Sequence, residues 1–508
     1  MQNKVLFLIS MVEEDFYNLR NIKEDIRQEY PEYYVQIESL PIKERPSELD
    51  SIAISPLRVG NVSGRWLAAN ISTPSKVVDK PMTLDVLRAE LEADEYTHIC
   101  VTAFLDGYRD FEICMRYLME NYPNITRALG NAGAQYEQFR RFFDEENICY
   151  GDGVPFLREM LGEPLDREYR IPTIIGHVQL LGSDDWLFPA GVLTTAIGCP
   201  HRCDFCLTSA MFQGTYNGYD FTAQDIHDAI KAIEKEIGFN EFFVFVAESN
   251  ALIDKRLWYE VFDLFRGEEG RYGLIAPVSL DVLDGYDLDR LQGSAMRIDI
   301  ANIGLESINS REYSKLSNKK VKETLEKFER YGISVWGTFL IGYPGQSLED
   351  IREEVDGLIE LNPTMPALLN LRPIKGTQIY DELSKDGKIK SDYLDIGYRF
   401  GFMTYEHDFI GEEFTQLPRM MLEMYDYIEG RTGHPFLRIL EVQAYQKDTN
   451  NIRSHEQLEF LLNMYSSIHQ RWVDYFCHDK GSRDEFNSRF ETVKGKMETI
   501  FREKRAGQ

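Results

Sequence analysis

Cysteine is scarce in this chain, with seven residues among 508. That density is far below the cysteine content of a small secreted scaffold held together by disulfides. Long hydrophobic runs are also missing, because no apolar stretch approaches the roughly 18 residues that span a bilayer. The first one, Val5 to Val12, ends at Glu13 and is too short for a signal peptide. We therefore expect a cytoplasmic protein, not an integral membrane protein, whose thiols stay reduced and can bind metal.

Basic residues are outnumbered, since 84 acidic residues face 56 basic ones and the formal net charge is −28. Such a surface repels phosphate backbones, whereas nucleic-acid-binding proteins usually carry a basic patch. We therefore expect no nucleic acid among the partners. Hydrophobic residues make up 43% of the chain, which is enough for large cores. A chain of this length normally divides into about two to four domains.

Residues 1–165 alternate apolar runs with helical patterns, as in "KVLFLIS" and "HICVTAF". This alternation predicts an α/β domain with a Rossmann-like parallel sheet, which binds ligands at the carboxyl ends of its strands. Proline and glycine recur between residues 45 and 90, and we interpret this segment as irregular in structure. It is either an excursion of the chain that contacts a ligand or a surface loop. The pattern predicts a helix over 111–123 and strands over 4–10, 34–40, 98–104, 124–133 and 146–153.

Residues 166–190 are interpreted as a linker to a second domain, 191–385. There, six strand-and-helix units predict a partial (β/α)6 barrel with parallel strands. Residues 386–508 have apolar side chains at helical spacing and predict a helical C-terminal subdomain. The barrel strands are predicted over 191–197, 241–247, 272–280, 296–304, 332–341 and 366–373. The principal helices are predicted over 223–238, 255–268, 310–330 and 347–361.

Three of the seven cysteines lie within eight residues, in "CPHRCDFC": Cys199, Cys203 and Cys206. They follow the first predicted barrel strand, at the end where parallel barrels carry their chemistry. Structural zinc sites need four ligands, usually in two pairs, and no second pair of cysteines exists here. Three thiolates from one loop suit three corners of a [4Fe–4S] cluster, with the fourth iron open to a small molecule. The remaining cysteines are isolated: Cys100, Cys114, Cys149 and Cys477.

The cysteine spacing, with Phe205 before the third thiol, resembles the C-x3-C-x-aromatic-C signature of the radical S-adenosylmethionine (SAM) superfamily. Segments at four later strand ends are similar to motifs of that superfamily. In the segment "GTFLIGYPGQSLEDI", Gln346 and Ser347 replace the usual Glu and Thr. On these motifs the chain is identified as a member over roughly 191–385. The segments are "VFVAESNALI", "IANIGLESIN", "GTFLIGYPGQSLEDI" and "LRPIKGTQIYDEL".

The resemblance implies that the three cysteines hold a [4Fe–4S] cluster whose open iron binds SAM. Reductive cleavage of SAM then yields a 5′-deoxyadenosyl radical that abstracts hydrogen from a small-molecule substrate. An electron donor such as flavodoxin or ferredoxin is therefore also implied. The implied SAM contacts are Phe205 near the adenine, Glu306 and Ser307 on the ribose, Glu248 and Asn250 near the methionyl end, and Gly342 in the adenine-side turn.

Several of these residues also have purely structural interpretations. Glu306 suits the start of a helix, and Gly342 suits an ordinary strand-to-helix connection. Glu248 and Asn250 are interpreted almost equally well as structural polar residues of a loop. His201, inside the cysteine loop, is interpreted as a solvent-facing residue.

The order of domains resembles the cobalamin-binding-domain-containing branch of the superfamily. "ENICYGDGVPFLREMLG" is similar to a glycine- and glutamate-rich run of that branch, with Asp152 and Val154 replacing two glutamates. The D-x-H-x-x-G cobalamin motif is absent, and the nearest match, Asp225-x-His227, lies in a predicted barrel helix.

This resemblance implies cobalamin as a cofactor and methylation of an unactivated carbon or of a phosphinate phosphorus. One alternative is radical rearrangement, cyclisation or C–C coupling without methyl transfer. An alternative of another class is a non-catalytic iron–sulfur sensor or binding protein.

Overall fold

The computed structural model describes residues 3–11, 57–58, 60–179, 187–308, 318–390, 404–410, 416–446 and 455–506. Its strands, in chain order, are β1 (Val5–Ser10), β2 (Leu57–Arg58), β3 (Ser75–Pro81), β4 (His98–Ala103), β5 (Thr126–Gly130), β6 (Ile174–Gln179), β7 (Leu187–Leu193), β8 (Ala196–Gly198), β9 (Tyr216–Gly218), β10 (Glu241–Val246), β11 (Arg271–Pro277), β12 (Met296–Glu306), β13 (Ser334–Ile341) and β14 (Met365–Asn370).

The α-helices of the described residues follow the same numbering convention. They are α1 (Val62–Ala69), α2 (Leu84–Ala93), α3 (Tyr108–Asn121), α4 (Glu137–Arg140), α5 (Gly153–Leu161), α6 (Leu207–Phe212), α7 (Ala223–Ile237), α8 (Lys255–Leu264), α9 (Leu280–Asp284), α10 (Leu288–Leu291), α11 (Asn318–Arg330), α12 (Leu348–Leu361), α13 (Gln378–Lys385), α14 (Gln416–Thr432), α15 (Pro435–Tyr445), α16 (His455–Phe476) and α17 (Lys480–Ala506). None of these described helices combines the length and apolarity that crossing a membrane requires.

The N-terminal sheet is parallel and has the strand order β3-β1-β4-β5. Its central strand β1 is buried along its whole length, as the continuous apolar run "VLFLIS" requires of a strand covered on both faces. Strand order reverses between β1 and β4, and open sheets bind ligands outside the carboxyl ends at such a point. This part of the predicted fold is confirmed.

Two details of the N-terminal region differ from the sequence prediction. The predicted strand 146–153 is wrong, because Glu145–Asn147 is a 3-10 turn and only Ile148 bridges to β5. Residues 45–90 were predicted to be irregular, but their described part contains α1, β3 and part of α2. The predicted strand 34–40 lies outside the described residues.

The second sheet has the order β14-β13-β12-β11-β10-β7-β6-β2. Six strands of this sheet are parallel to one another, which confirms the partial (β/α)6 barrel: β7, β10, β11, β12, β13 and β14. Strands β6 and β2 extend this sheet in the antiparallel sense beside β7. The stretch 166–190, interpreted as a linker, therefore contributes β6 to the barrel sheet.

The barrel sheet is covered on both faces. Alternate residues such as Phe242 and Val244 pack in one apolar cluster with the barrel helices. Their neighbour Phe243 belongs to another cluster, which includes Leu461 and Trp472 of α16. Because side chains alternate across a strand, helices α15 to α17 pack on the face opposite to the barrel helices, whereas α14 joins the barrel helices through Met421 and Ile428. The predicted helical C-terminal region is confirmed.

Candidate functional site

The cysteine loop starts at the end of β8 and ends where α6 begins. Cys199 N donates to Thr215 O at 3.1 Å, so the loop is closed by the strand that returns as β9. Cys206 is the residue preceding α6, and its N–H donates to Cys203 O at 3.2 Å. Gly198 has φ +84°, and a Cβ there would lie 2.2 Å from Thr215 O. The loop geometry therefore depends on glycine at position 198.

Replacing Gly198 by alanine is expected to destabilise the protein by about 1–3 kcal/mol, the usual range for strained backbone conformations. The steric conflict with Thr215 O adds to this strain, and iron incorporation should fall with it. Thermal unfolding and iron content measure both effects. Gly218→Ala is the matched control, because Gly218 lies on the paired strand β9, opposite Ala196, and a Cβ there meets no atom within 4 Å. Equal behaviour of the two variants would contradict the prediction.

The three thiols are half-buried and lie close enough to influence one another. Burial raises the pKa of Cys203 to about 12, and the nearby Cys206, Glu306 and Cys199 act in the same direction. Among the described residues, no three His, Cys, Asp or Glu side chains are already gathered as a metal-binding set. The thiols must therefore turn together and lose their protons to hold a cluster. Three adjacent sulfur donors without a fourth fit a [4Fe–4S] cluster with one open iron.

Asn250 connects the cysteine loop to the end of β11. Its side chain lies close to the thiol of Cys199 and acts to lower the pKa of that thiol, which burial raises. Asn250 Oδ1 accepts from Ser279 N at 2.9 Å, and Nδ2 lies 3.2 Å from Ser279 Oγ. The residue is buried, so its two bonds to Ser279 fix a polar side chain beside Cys199 of the loop. His201 of the same loop lies 3.7 Å from Asp281.

Glu248 is buried after β10, with one carboxylate oxygen satisfied and the other without a partner. Oε1 accepts from Thr195 N at 2.7 Å, from Thr195 Oγ1 at 2.6 Å and from Ala196 N at 3.2 Å. Oε2 is buried without a hydrogen bond. Burial raises the pKa of Glu248 to about 7, although the three hydrogen bonds oppose the shift. A buried polar atom without a partner is the kind of group that a ligand satisfies.

Glu306 ends β12 in a left-handed conformation, with φ +62°. The sheet register shifts there, and the carboxylate lies over Gly304, where a Cβ would be 2.1 Å from Glu306 Oε1. Burial raises the pKa of Glu306 to about 7. A non-glycine residue keeps this strained backbone conformation only where the surrounding structure holds it, and such residues cluster at functional sites.

Ser307 differs from its neighbour, because its hydroxyl donates to Glu354 of α12. Ile308 N donates to the other oxygen of Glu354 at 2.7 Å. The carboxylate of Glu354, buried in α12, thus clamps the end of β12. The hydroxyl proton of Ser307 is used within the protein, so its assignment to the ribose stays a prediction based on resemblance.

The turn after β13 has the expected glycines in left-handed conformations, with φ +82° at Gly342 and +79° at Gly345. Gln346 Oε1 accepts from Gly342 N at 2.8 Å and from Tyr343 N at 3.2 Å. An amide oxygen does this as well as a carboxylate, which explains how Gln346 replaces the usual Glu. Phe205 packs edge-on against Tyr343, with ring centroids 6.3 Å apart.

A cavity of about 580 Å³ lies between the carboxyl ends of the two sheets. The N-terminal domain contributes the ends of β4 and β5 and the glycine-rich start of α5. The barrel contributes the start of the cysteine loop, α6 and the end of β10, including Glu248. The lining residues used below are Trp66, Cys149, Gly151, Asp152 and Tyr219.

Asp152 ties the two sides of this cavity together. Its carboxylate accepts from Val154 N at 3.0 Å, as the N-cap of α5, and from Tyr219 OH at 3.3 Å. Tyr219 packs on Trp66 at 4.9 Å and belongs to the barrel domain. Asp225 and His227 are not part of the cavity: Asp225 caps α7, and His227 pairs with Glu268 at 2.7 Å.

Sequence reasoning missed Glu354, Tyr405 and His407. Glu354 had a signal, because it interrupts the apolar stripe of Ile351, Val355 and Leu358 on α12. Tyr405 OH donates to Gly342 O, and His407 lies against Tyr343 O at 2.8 Å. These two residues follow the barrel in sequence and had no signal that connected them to it.

Residues 193–357 match the family model of the Radical SAM superfamily, which confirms the family resemblance. The bacteriochlorophyllide d C-8(2)-methyltransferase of Chlorobaculum tepidum is 27% identical over 207 residues, which are 38% of this chain and 44% of that protein. Biotin synthase 1 of Corynebacterium diphtheriae is 26% identical over 221 residues, which are 42% of this chain and 61% of that protein. The chain thus spans about half the length of these curated relatives.

Two solved structures of the radical SAM methyltransferase TsrM from Kitasatospora setae are also similar, with a TM-score of 0.49 and 12% identity. One contains cobalamin and a [4Fe–4S] cluster, and the match covers 76% of this chain and 78% of TsrM. The other contains tryptophan and a SAM analog, and the match covers 76% of each chain.

Proposed function

Since residues 193–357 form a radical SAM domain, we propose that the chain is a radical SAM enzyme that methylates an unactivated carbon of a small molecule with the help of cobalamin. The cavity between the two sheets carries the proposal. It adjoins the cysteine loop on one side and the ligand-binding edge of a Rossmann-like sheet on the other. A flat cofactor in this cavity would face the substrate end of the barrel. The partial likeness to a C-methyltransferase supports the same reaction.

When bound, the cluster supplies the electron that generates the 5′-deoxyadenosyl radical, and cobalamin supplies the methyl group. The residues of the chain bind and orient these groups. Cys199, Cys203 and Cys206 would hold the cluster, and Asn250 lies beside Cys199. The cavity walls are mostly apolar, with aromatic and glycine residues that suit a large planar ring. The described lining of the cavity contains no histidine that could bind the cobalt of cobalamin.

Glu306 is the proposed acceptor for the ribose hydroxyls of SAM. It acts electrostatically on Cys203, and it stands at the register shift that ends β12. Glu248 is proposed to receive a ligand group at Oε2, the oxygen that lacks a partner. Phe205 and the turn at Gly342 are proposed to flank the adenine.

Replacing Glu306 by alanine is expected to weaken SAM binding by about tenfold to a hundredfold. Hydrogen bonds to charged groups contribute about 1.5–3 kcal/mol, and about 1.4 kcal/mol corresponds to a factor of ten. Equilibrium dialysis of the reconstituted protein with labelled SAM measures this. Glu360→Ala is a suitable control, because Glu360 is exposed in the last turn of α12, at the end opposite to the turn that follows β13. Unchanged SAM affinity in Glu306→Ala would remove Glu306 from the site.

The experiment that tests the function is anaerobic reconstitution with iron and sulfide, with and without hydroxocobalamin. The proposal expects a cluster spectrum, cobalamin retained after desalting, and formation of both 5′-deoxyadenosine and S-adenosylhomocysteine. Formation of 5′-deoxyadenosine alone would favour rearrangement, cyclisation or coupling. Failure to cleave SAM under a strong reductant would favour the iron–sulfur sensor.

The proposal includes an external one-electron donor such as flavodoxin or ferredoxin, because cleavage of SAM consumes an electron. It also includes a cytoplasmic location, where thiols stay reduced. Nucleic acid is not proposed as a substrate, since a net charge of −28 opposes binding to phosphate backbones.

A further inference from the structure

Residues 404–410, here called the strap, cross the turn that follows β13. The strap contacts the turn through two side chains. Tyr405 is buried, and its hydroxyl donates to Gly342 O. His407 donates from Nε2 to Tyr343 O at 2.8 Å. Two consecutive carbonyl groups of the turn are therefore held by residues from outside the barrel domain.

The ring of His407 has only one protonation state that fits its surroundings. Nδ1 accepts from Phe409 N and from Ile410 N, each at 3.1 Å. Backbone N–H groups can only donate, so Nδ1 carries no proton and the proton resides on Nε2. His407 is therefore neutral when it holds Tyr343.

The strap is anchored at both ends. At its start, Tyr405 bridges to Ile389, and Lys390 N donates to Thr404 O at 3.1 Å. In its middle, Glu406 N donates to the carbonyl of Lys388 at 2.8 Å. At its end, Ile410 is buried in the barrel core. A segment fixed in this way can restrain the turn that it crosses.

The turn is connected in its other direction to the cysteine loop. Tyr343 packs on Phe205, the residue before the third cysteine, and both belong to an apolar cluster with Tyr405. Ile379, another member of this cluster, donates its N–H to Asp204 O at 3.3 Å. The strap, the turn and the cysteine loop therefore form one continuous packed unit.

We propose that Tyr405 and His407 are positioning residues that fix the adenine-side turn and, through Tyr343 and Phe205, the cysteine loop in the shape that binds SAM. The assignment to SAM rests on the proposed function, whereas the restraint of the turn does not. Neither residue contacts the reacting atoms. Their removal should therefore weaken SAM binding more than it slows turnover at saturating SAM.

Protonation of His407 would break the arrangement, because a protonated Nδ1 cannot accept from the two N–H groups. Burial lowers the pKa of this ring, while its bond to Tyr343 and the nearby Asp408 oppose the shift and Lys388 adds to it. Lys388 and Asp408 pair with each other at 2.8 Å. The contact is thus present above the ordinary histidine pKa of about 6.5 and is lost as the pH falls through the lowered value.

The test compares Tyr405→Phe, His407→Ala and His407→Gln with the unmodified protein. Hydrogen–deuterium exchange of the protein before reconstitution reports the turn directly, because the amides of Gly342 and Tyr343 donate to Gln346. Loss of one hydrogen bond should speed their exchange by up to about tenfold, since such a bond contributes about 1 kcal/mol. His407→Gln, which keeps a donor, should restore part of the protection.

After reconstitution, the KM for SAM should rise about tenfold in Tyr405→Phe and His407→Ala with kcat nearly unchanged. The KM of the unmodified protein should also rise below the lowered pKa of His407. His407→Ala should lack this part of the pH dependence and keep the part that Glu306 and Glu248 cause, since the pKa of each is raised to about 7. Tyr427→Phe is the matched control, because Tyr427 is exposed and its hydroxyl bonds to Asp356 at 2.9 Å.

Unchanged exchange at Gly342 and Tyr343 in folded Tyr405→Phe and His407→Ala would overturn the proposal. So would a loss of kcat with no change in KM. If the unmodified protein neither binds nor cleaves SAM, the proposed function fails. In that case the exchange measurement still decides whether the strap restrains the turn.

Discussion

Replacing Cys199, Cys203 or Cys206 by alanine is expected to remove the iron and sulfide from the reconstituted protein and to reduce SAM cleavage to background. All three thiols come from one loop, and no further cysteine among the described residues is available to substitute for a lost ligand. The other four cysteines are buried elsewhere. Iron and sulfide analysis, the visible spectrum and 5′-deoxyadenosine formation provide three independent measurements.

Cys114→Ala is the matched control for the cysteine variants. Cys114 is buried in α3 within the N-terminal core and takes no part in the loop. This variant should keep its iron and its activity, at the cost of some stability from the lost packing. The cysteine variants should keep their far-ultraviolet circular dichroism, because the loop lies at the edge of the barrel core. A Cys203→Ala protein that retained full activity would refute the cluster assignment.

Replacing Gly151 by tryptophan is expected to weaken cobalamin binding by about tenfold to a hundredfold, because overpacking a filled site typically costs about 1–3 kcal/mol. Gly151 lines the cavity between the sheets, has no positive φ, and a Cβ there meets no atom within 4 Å. The first atom of the new side chain therefore has open space, and we expect the ring to occupy the cavity that Gly151 lines. Cobalamin absorbance after desalting measures the loss.

Iron content distinguishes this effect from general damage. Gly151→Trp should keep its cluster, because Gly151 lies on the N-terminal side of the cavity. Gly495→Trp is the control, since Gly495 lies in α17 and also has open space at its Cβ position. Normal cobalamin retention in Gly151→Trp would show that cobalamin binds outside this cavity.

The parts of the fold that the sequence predicts well are those whose signal is local. The strands β10 to β14 are continuous apolar runs between amphipathic helices, and the structure has each within a few residues of its predicted position. Strands β3 and β6 escaped prediction for a physical reason. Only Val78 is buried in the outer strand β3, so no apolar alternation marks it. Strand β6 pairs antiparallel at the edge of the sheet, outside the repeating strand–helix pattern.

The candidate site divides in a similar way. The cysteine spacing and the short motifs are local signals in the sequence. In the structure these segments lie at the ends of the barrel strands, as expected. The partners that hold them come from distant parts of the chain: Ser307 meets Glu354, Gly342 meets Tyr405, and Tyr343 meets His407. Such contacts depend on which elements pack together, and hydrophobic periodicity carries no information about that choice.

The pairing of β2 and β6 with β7 has a practical consequence for anyone dividing this protein into parts. Residues that precede the barrel in sequence complete its sheet, so a fragment that began at Gly191 would lack the start of β7 (Leu187–Leu193) and would leave the edge of its remainder bare. Exposed edges of this kind recruit other strands and aggregate. Tyr219, on which Trp66 packs across the same boundary, would lose part of its cover as well. The N-terminal domain and the barrel therefore share a packed interface. A truncation at the boundary that the sequence suggests would disrupt it.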